Sequence, residues 1–188
     1  YHGLNFWETF GPDGPFGNVA FAIRGRVEGL RDLGAALSPH NAFAHLQGLE
    51  TLSLRADRCI ENTQALAHWL QTQPGVRNVS HPDLEDHPDH ARAKAHFPRG
   101  AGGVLTFELE GGVEAGQRFL DALQLCSRLV NLGDAKTSVT HPASTTHSQL
   151  TEAQLAAAGV APGLIRIATG LEHIEDLKAD LTQALAAI

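Results

Sequence analysis

The chain has 188 residues, 14 of them basic and 21 acidic, for a formal net charge of −7. Its apolar share of 43% and charged share of 19% are those of a folded chain long enough to bury a sizeable core, which excludes a disordered tail. No Lys/Arg-rich run gathers on a face and no apolar run is long enough to span a bilayer. Nucleic acid and membrane are therefore excluded as expected partners, and a cytoplasmic location is expected.

In chain order, residues 1–17 mix Phe6, Trp7, Phe10 and Phe16 with Gly and Pro, which predicts an irregular segment lying on a neighbouring surface. Residues 18–33 read as helical until Gly34 and Ser38-Pro39 interrupt. A single long helix is expected over residues 41–73, carrying the stripe Leu49, Leu52, Ala56, Cys59, Thr63, Leu66, Leu70 and ending at Pro74-Gly75. Such a length suits an element spanning two structural units. Beyond it come a weak strand at 76–79, a short polar helix at 87–97 and a strand at 103–109 with Leu105, Phe107 and Leu109 on one face. A helix at 113–125 turns Phe119, Leu120 and Leu123 inward. A strand at 128–132, a long loop at 133–149 and a short helix opened by the capping box Thr151-x-x-Gln154 follow. Last are an apolar strand around Arg166 and a helix burying Ile174, Leu177, Leu181, Leu185 and Ile188. The expected architecture is α/β, a small mainly antiparallel sheet with helices on one face.

Arg166 is the residue that this pattern singles out. Alternation sends Ile165 and Ile167 into a core and Arg166 out of the opposite face, where a guanidinium needs an anion. Its planar fork fits a carboxylate, of a structural Asp/Glu partner or of a ligand. Asn131 stands where a strand meets the long loop and can face the same ligand. Ser144, Thr145, Thr146 and His147 carry the groups of a nucleophilic pair but no third orienting residue, and suit hydrogen bonding to a small anionic substrate better. Lys136 has Asp134 beside it, which opposes the lowered pKa that a Schiff-base lysine needs. His81, His87, His90 and His96, with Asp83, Asp86 and Asp89, lack metal-ligand spacing and read as a solvated loop and helix face, so no metal is expected. Cys59 and Cys126 read as buried thiols, with a disulfide as the lesser alternative. The chain holds no methionine and opens on Tyr1, so a fragment or processed piece of a longer protein is expected.

The segments YHGLNFWETFGP (1–12), RDLGAALSPHNAFAHLQGLETLSLR (31–55), NLGDAKTSVTHPASTTHSQLT (131–151) and GLIRIATGLEHIEDL (163–177) together resemble the C-terminal part of the O-acetylhomoserine sulfhydrylases. These belong to the pyridoxal-phosphate-dependent enzymes of cysteine and methionine metabolism. The resemblance implies the C-terminal small domain of an aspartate-aminotransferase-like (fold type I) enzyme. On that reading 1–40 is a remnant of the cofactor domain, 41–73 the interdomain helix and 74–188 the domain that closes on substrate. It implies pyridoxal phosphate as cofactor, an upstream cofactor domain and a homotetramer as partners, and an amino-acid substrate. Arg166 matches the arginine that grips the substrate α-carboxylate. Asn131 falls before Leu-Gly where relatives carry serine on that carboxylate, and Thr146, before His147, matches a substrate-side threonine. No catalytic or cofactor-binding residue is expected within the chain, since the Schiff-base Ser-x-Thr-Lys motif and the phosphate-binding glycine loop are missing. The chain by itself is expected to be inactive. The alternatives are a cystathionine γ-synthase or γ-lyase of the same family, or a non-catalytic interaction domain.

Overall fold

The computed structural model describes residues 1–188, which part into two compact units, 1–50 and 51–188. In the first unit α1 (Phe6–Phe10) is a single helical turn capped by the Asn5 side chain, which accepts from the backbone N–H groups of Trp7 and Glu8. The stretch expected to be irregular therefore contains a helix. Along it Tyr1, Phe6, Phe10 and Phe16 meet ring to ring, edge-on or tilted, at centroid distances of 5.4–6.1 Å. Helix α2 (Ala20–Arg24) continues into a wider π-wound stretch, Gly25–Asp32, and α3 (Pro39–Glu50) opens on Pro39, which supplies no N–H where none is needed.

The helix expected over 41–73 is divided. Helix α4 (Leu52–Leu70) begins after Thr51, whose backbone leaves helical geometry at φ −110° and ψ 8°. The apolar stripe is divided with it. Cys59, Thr63, Leu66 and Leu70 are buried, whereas Leu49, Leu52 and Ala56 are exposed.

The second unit is built on a five-stranded sheet in the order β1 (Val76–Ser80), β2 (Val104–Leu109), β5 (Leu164–Ala168), β4 (Ser138–Thr140), β3 (Ser127–Arg128). All pairs are antiparallel except β3–β4. Two expectations give way here. The strand placed at 128–132 is only the two residues Ser127–Arg128, because Leu129, Val130 and Leu132 are exposed and have no partner strand to cover them. The loop placed at 133–149 contains β4 and then a 3-10 turn, Pro142–Ser144.

Helices α4, α6 (Gly112–Ala122) and α8 (Ile174–Leu185) cover one face of the sheet. Leu105, Phe107, Leu109, Ile165, Ile167 and Val139 point into that layer against Leu66, Leu70, Phe119, Leu177 and Leu181. Each such side chain contributes about 1.5–3 kcal/mol by leaving water. Phe107 meets Phe119 edge to face at 5.8 Å. Helix α5 (His90–His96) and helix α7 (Glu152–Ala157) complete the unit. The capping box of α7 forms as the sequence dictates, with Thr151 and Gln154 satisfying each other's backbone. No helix is long and apolar enough to cross a membrane.

Candidate functional site

The face of the sheet opposite the helices presents Arg166 at its centre. Register sets a polar row across four strands: Ser80 opposite Thr106, Thr106 opposite Arg166, and Arg166 opposite Thr140. Directly paired residues share a face, so Arg166 stands between two threonine hydroxyls. Ile165 and Ile167, its neighbours in sequence, are fully buried on the other side. Arg166 is half-buried and makes no ion pair or side-chain hydrogen bond within the chain. Every other ion pair involves residues elsewhere. No carboxylate of the chain lies within ion-pairing distance of Arg166, so its guanidinium is not held by a structural partner and can take an anion.

Asn131 and Thr146 are not hydrogen-bonded to it. Asn131 donates from Nδ2 to Asp134 Oδ2 at 2.7 Å and accepts the Leu132 N–H at Oδ1. Asp134 also accepts the Lys136 N–H, and that bond, then the one from Asn131, holds its carboxyl below the usual range. Thr146 is exposed and pairs with His147 through Nδ1 at 2.8 Å. The stem of the Asn131 loop is tied instead to β4, at the residue paired with Arg166. Thr140 Oγ1 donates to the carbonyl of Leu129 at 2.8 Å, two residues before Asn131.

Several groups escaped sequence reading. Ser144 pairs with His141, not His147, at 2.7 Å through Nδ1, and His141 Nε2 donates to the carbonyl of Pro162 at 2.7 Å. The ring is fully buried, and a Cβ on Gly116 would fall 2.5 Å from it. Both ring nitrogens are thereby occupied in holding the turn that follows β4. At the far end of the Asn131 loop, Glu172 and Thr137 form a second tie, again over a separation no local pattern reveals.

The histidine-rich stretch disperses its nitrogens onto the backbone. His81 is fully buried, accepts the Asp83 N–H and faces the carbonyl of Gly102, and burial lowers its pKa more than Asp83 restores it. His87 accepts the Asp89 N–H and His90 donates to the carbonyl of Pro82. Cys59 and Cys126 are buried free thiols, both with raised pKa through burial.

The family profile described as Cys/Met metabolism PLP-dependent enzyme matches residues 15–186. The chain is 53% identical over 186 residues to O-acetyl-L-homoserine sulfhydrylase 1 of Thermus thermophilus, covering 99% of this chain and 43% of that protein. It is 46% identical over 172 residues to the L-methionine gamma-lyase of Pseudomonas putida, covering 91% and 43%. Among solved structures, an O-acetylhomoserine sulfhydrylase of Wolinella succinogenes superposes with a TM-score of 0.78 at 41% identity, covering 98% of this chain and 50% of that one. A Campylobacter jejuni protein described as an O-acetylhomoserine (thiol)-lyase, carrying an N'-pyridoxyl-lysine-5'-monophosphate, gives 0.81 at 42%, covering 88% and 39%. The chain thus spans less than half the length of the curated relatives it matches.

These 188 residues do not by themselves fit a pyridoxal phosphate. Of the three lysines, Lys178 pairs with Glu175 at 2.8 Å, Lys136 is exposed, and Lys94 stands with Glu61 and Asp83 on a polar hollow far in sequence from the Arg166 face. None is enclosed beside backbone donors that could hold a phosphate. What the chain does offer is an arginine without an ion-pair partner at the centre of the sheet, in a fold shared with pyridoxal-phosphate enzymes. It belongs to the family of PLP-dependent enzymes of cysteine and methionine metabolism.

Proposed function

We propose that this chain is the substrate-closing C-terminal part of an O-acetylhomoserine sulfhydrylase, a pyridoxal-phosphate-dependent enzyme that exchanges the acetate of O-acetylhomoserine for sulfide to give homocysteine. The observation that carries the reading is Arg166, a guanidinium with no partner in its own chain, held between Thr106 and Thr140. The identities of 53% and 49% to sulfhydrylases support that branch over the γ-lyase branch at 46%. In this reading the cofactor, which supplies the electron sink, is held by residues outside these 188, in an upstream domain and a homotetramer located in the cytoplasm.

The chain's own part is orientation. Arg166 takes the α-carboxylate through its two-pronged fork and so fixes the substrate's Cα–H bond in space. Asn131, once its amide turns from Asp134, reaches the same carboxylate from the loop. Thr146 borders the substrate from the turn beyond β4. No catalytic residue is assigned here, and this chain supplied with pyridoxal phosphate forms no homocysteine.

The test is kinetic. In the full-length protein Arg166→Ala lowers kcat/KM for O-acetylhomoserine with sulfide by about 2–4 kcal/mol, roughly 30- to 1,000-fold. An unchanged value removes Arg166 from the site. Turnover with cysteine in place of sulfide, at equal or greater rate, shifts the assignment to cystathionine γ-synthase.

A further inference from the structure

Residues 131–136 are exposed without interruption, and Leu132, the one large apolar side chain among them, is 67% exposed. Its apolar packing is confined to Leu132 and Gly133, which border a hollow with Leu52, Ala56 and Cys59 of α4. The loop is held chiefly by polar ties at its two stems. The first is Thr140 Oγ1 to the carbonyl of Leu129. The second is denser. Glu172 accepts the Thr137 N–H at 2.7 Å and the Thr137 hydroxyl at 2.8 Å, one through each carboxylate oxygen. Thr137 Oγ1 in turn accepts the Gly170 N–H at 2.9 Å, and the Leu171 N–H donates to the carbonyl of Ala135 at 2.8 Å. From α4, the buried Asn62 donates to the carbonyls of Gly170 and Glu172. The approach is close enough that a Cβ on Gly170 would sit 2.5 Å from the carbonyl oxygen of Ala135 and 2.6 Å from Glu172 Oε2.

Residues 170–172 are the direct continuation of β5. The clasp therefore joins the strand that carries Arg166 to the loop that carries Asn131, and charge-assisted bonds make it stiff. We propose that Thr137 and Glu172 are positioning residues which set the Asn131 loop against the Arg166 strand, and through that spacing the affinity for the substrate's carboxylate. This rests on Arg166 being the carboxylate site. Arg166 itself is fixed at the centre of the sheet by β2 and β4, so loosening the clasp moves only the loop. Capture of the carboxylate weakens while the chemistry of bound substrate is little changed.

Thr137→Val keeps the shape but strands the Gly170 N–H and half of the Glu172 carboxylate, whereas Thr137→Ser keeps the hydroxyl. In the full-length enzyme Thr137→Val raises KM for the amino-acid substrate about tenfold or more with kcat within roughly threefold, and Thr137→Ser restores KM. In the 188-residue chain, amide exchange at Gly170, Leu171 and residues 132–137 accelerates in Thr137→Val, with the sheet amides unchanged. A Thr137→Val protein with a lowered Tm and an unaltered KM overturns the proposal, as does uniform acceleration of exchange. If Thr137→Val does not fold, Glu172→Gln takes its place. It keeps an acceptor for the Thr137 N–H but turns an N–H toward the hydroxyl, so KM rises, and a normal KM overturns the proposal. The two readings fail separately. Wild-type kcat/KM in Arg166→Ala removes the carboxylate site, whereas loss in Arg166→Ala beside normal KM in Thr137→Val removes only the clasp. Combined with Arg166→Ala, Thr137→Val adds less than its separate effect.

Discussion

Arg166 costs the fold something, since a half-buried guanidinium without an anion has lost hydration and gained no partner. A purely structural residue at this position would be apolar or paired. The sequence exposes this residue because strand alternation is a local signal: Ile165 and Ile167 mark the core face and Arg166 must leave by the other. What it cannot display is the company Arg166 keeps. Thr106 and Thr140 lie 60 and 26 positions away by the register, and only the pairing of β2, β5 and β4 brings them alongside. Asn131 and Thr146 are marked in the sequence by the long loop that carries them and by the resemblance, yet neither hydrogen-bonds to Arg166. The expected effect of Arg166→Lys follows from shape. Lysine retains the charge but loses the fork, so kcat/KM falls by about 1–2 kcal/mol, less than in Arg166→Ala, when both are assayed in the full-length enzyme. An Arg166→Lys enzyme as impaired as Arg166→Ala would show that charge contributes nothing there.

Elements were legible in proportion to their apolar content. The strand Val104–Leu109 and the helix Ile174–Leu185 show clear periods and stand where expected. Strand β4 is three residues long with one apolar member, Val139, which is too short for any period to emerge. The division at Thr51 also left no mark, because Leu49 and Leu52 continue the stripe in sequence while remaining exposed. A different invisible feature ties elements together. Asp180 on α8 accepts three backbone N–H groups, from Gln124 at 2.8 Å, Leu125 at 3.1 Å and Cys126 at 2.8 Å, and so pins the link between α6 and β3. Burial alone would raise its pKa, but these three donors and the Cys126 thiol outweigh it and hold the carboxyl below its usual value. A depressed folded pKa means that the unfolded chain takes up the proton first. The stabilisation is complete above the unfolded value of about 3.9 and is lost as pH falls through the folded one. Asp180→Ala is expected to lower unfolding free energy at pH 7 by about 2–3 kcal/mol, and Asp180→Asn to flatten the stability slope below about pH 4. Urea titrations from pH 7 to 3 measure both. An Asn variant with the wild-type acid slope would locate that slope in other carboxylates.

At the scale of the whole chain the two units differ in what holds them. Every member of the hydrophobic core belongs to residues 51–188. Among residues 1–50 only Gly11 and Ala20 are buried, while Phe21 is 93% and Leu33 is 82% exposed. A segment of this size that buries almost no apolar area cannot offset the entropy of ordering its backbone, which costs about 1–2 kcal/mol per residue. Its helical turns and ring-to-ring contacts are local, and local opening should need little free energy. In the reading proposed here those exposed rings are covered in the full-length enzyme, so the same residues should behave differently in the two contexts. Limited chymotrypsin digestion of the 188-residue chain should therefore cut first at Phe16, Phe21, Leu33 or Phe43, leaving a resistant fragment that starts within or just after α3 and runs to the end. Under identical conditions the full-length protein should protect those sites, with mass spectrometry identifying the cuts. If residues 1–50 of the 188-residue chain survive as long as residues 51–188, the first unit is held by more than its local contacts. If the full-length protein is cut there as readily, its remaining length does not cover this surface, and the assignment of 1–40 to the flank of a cofactor domain falls.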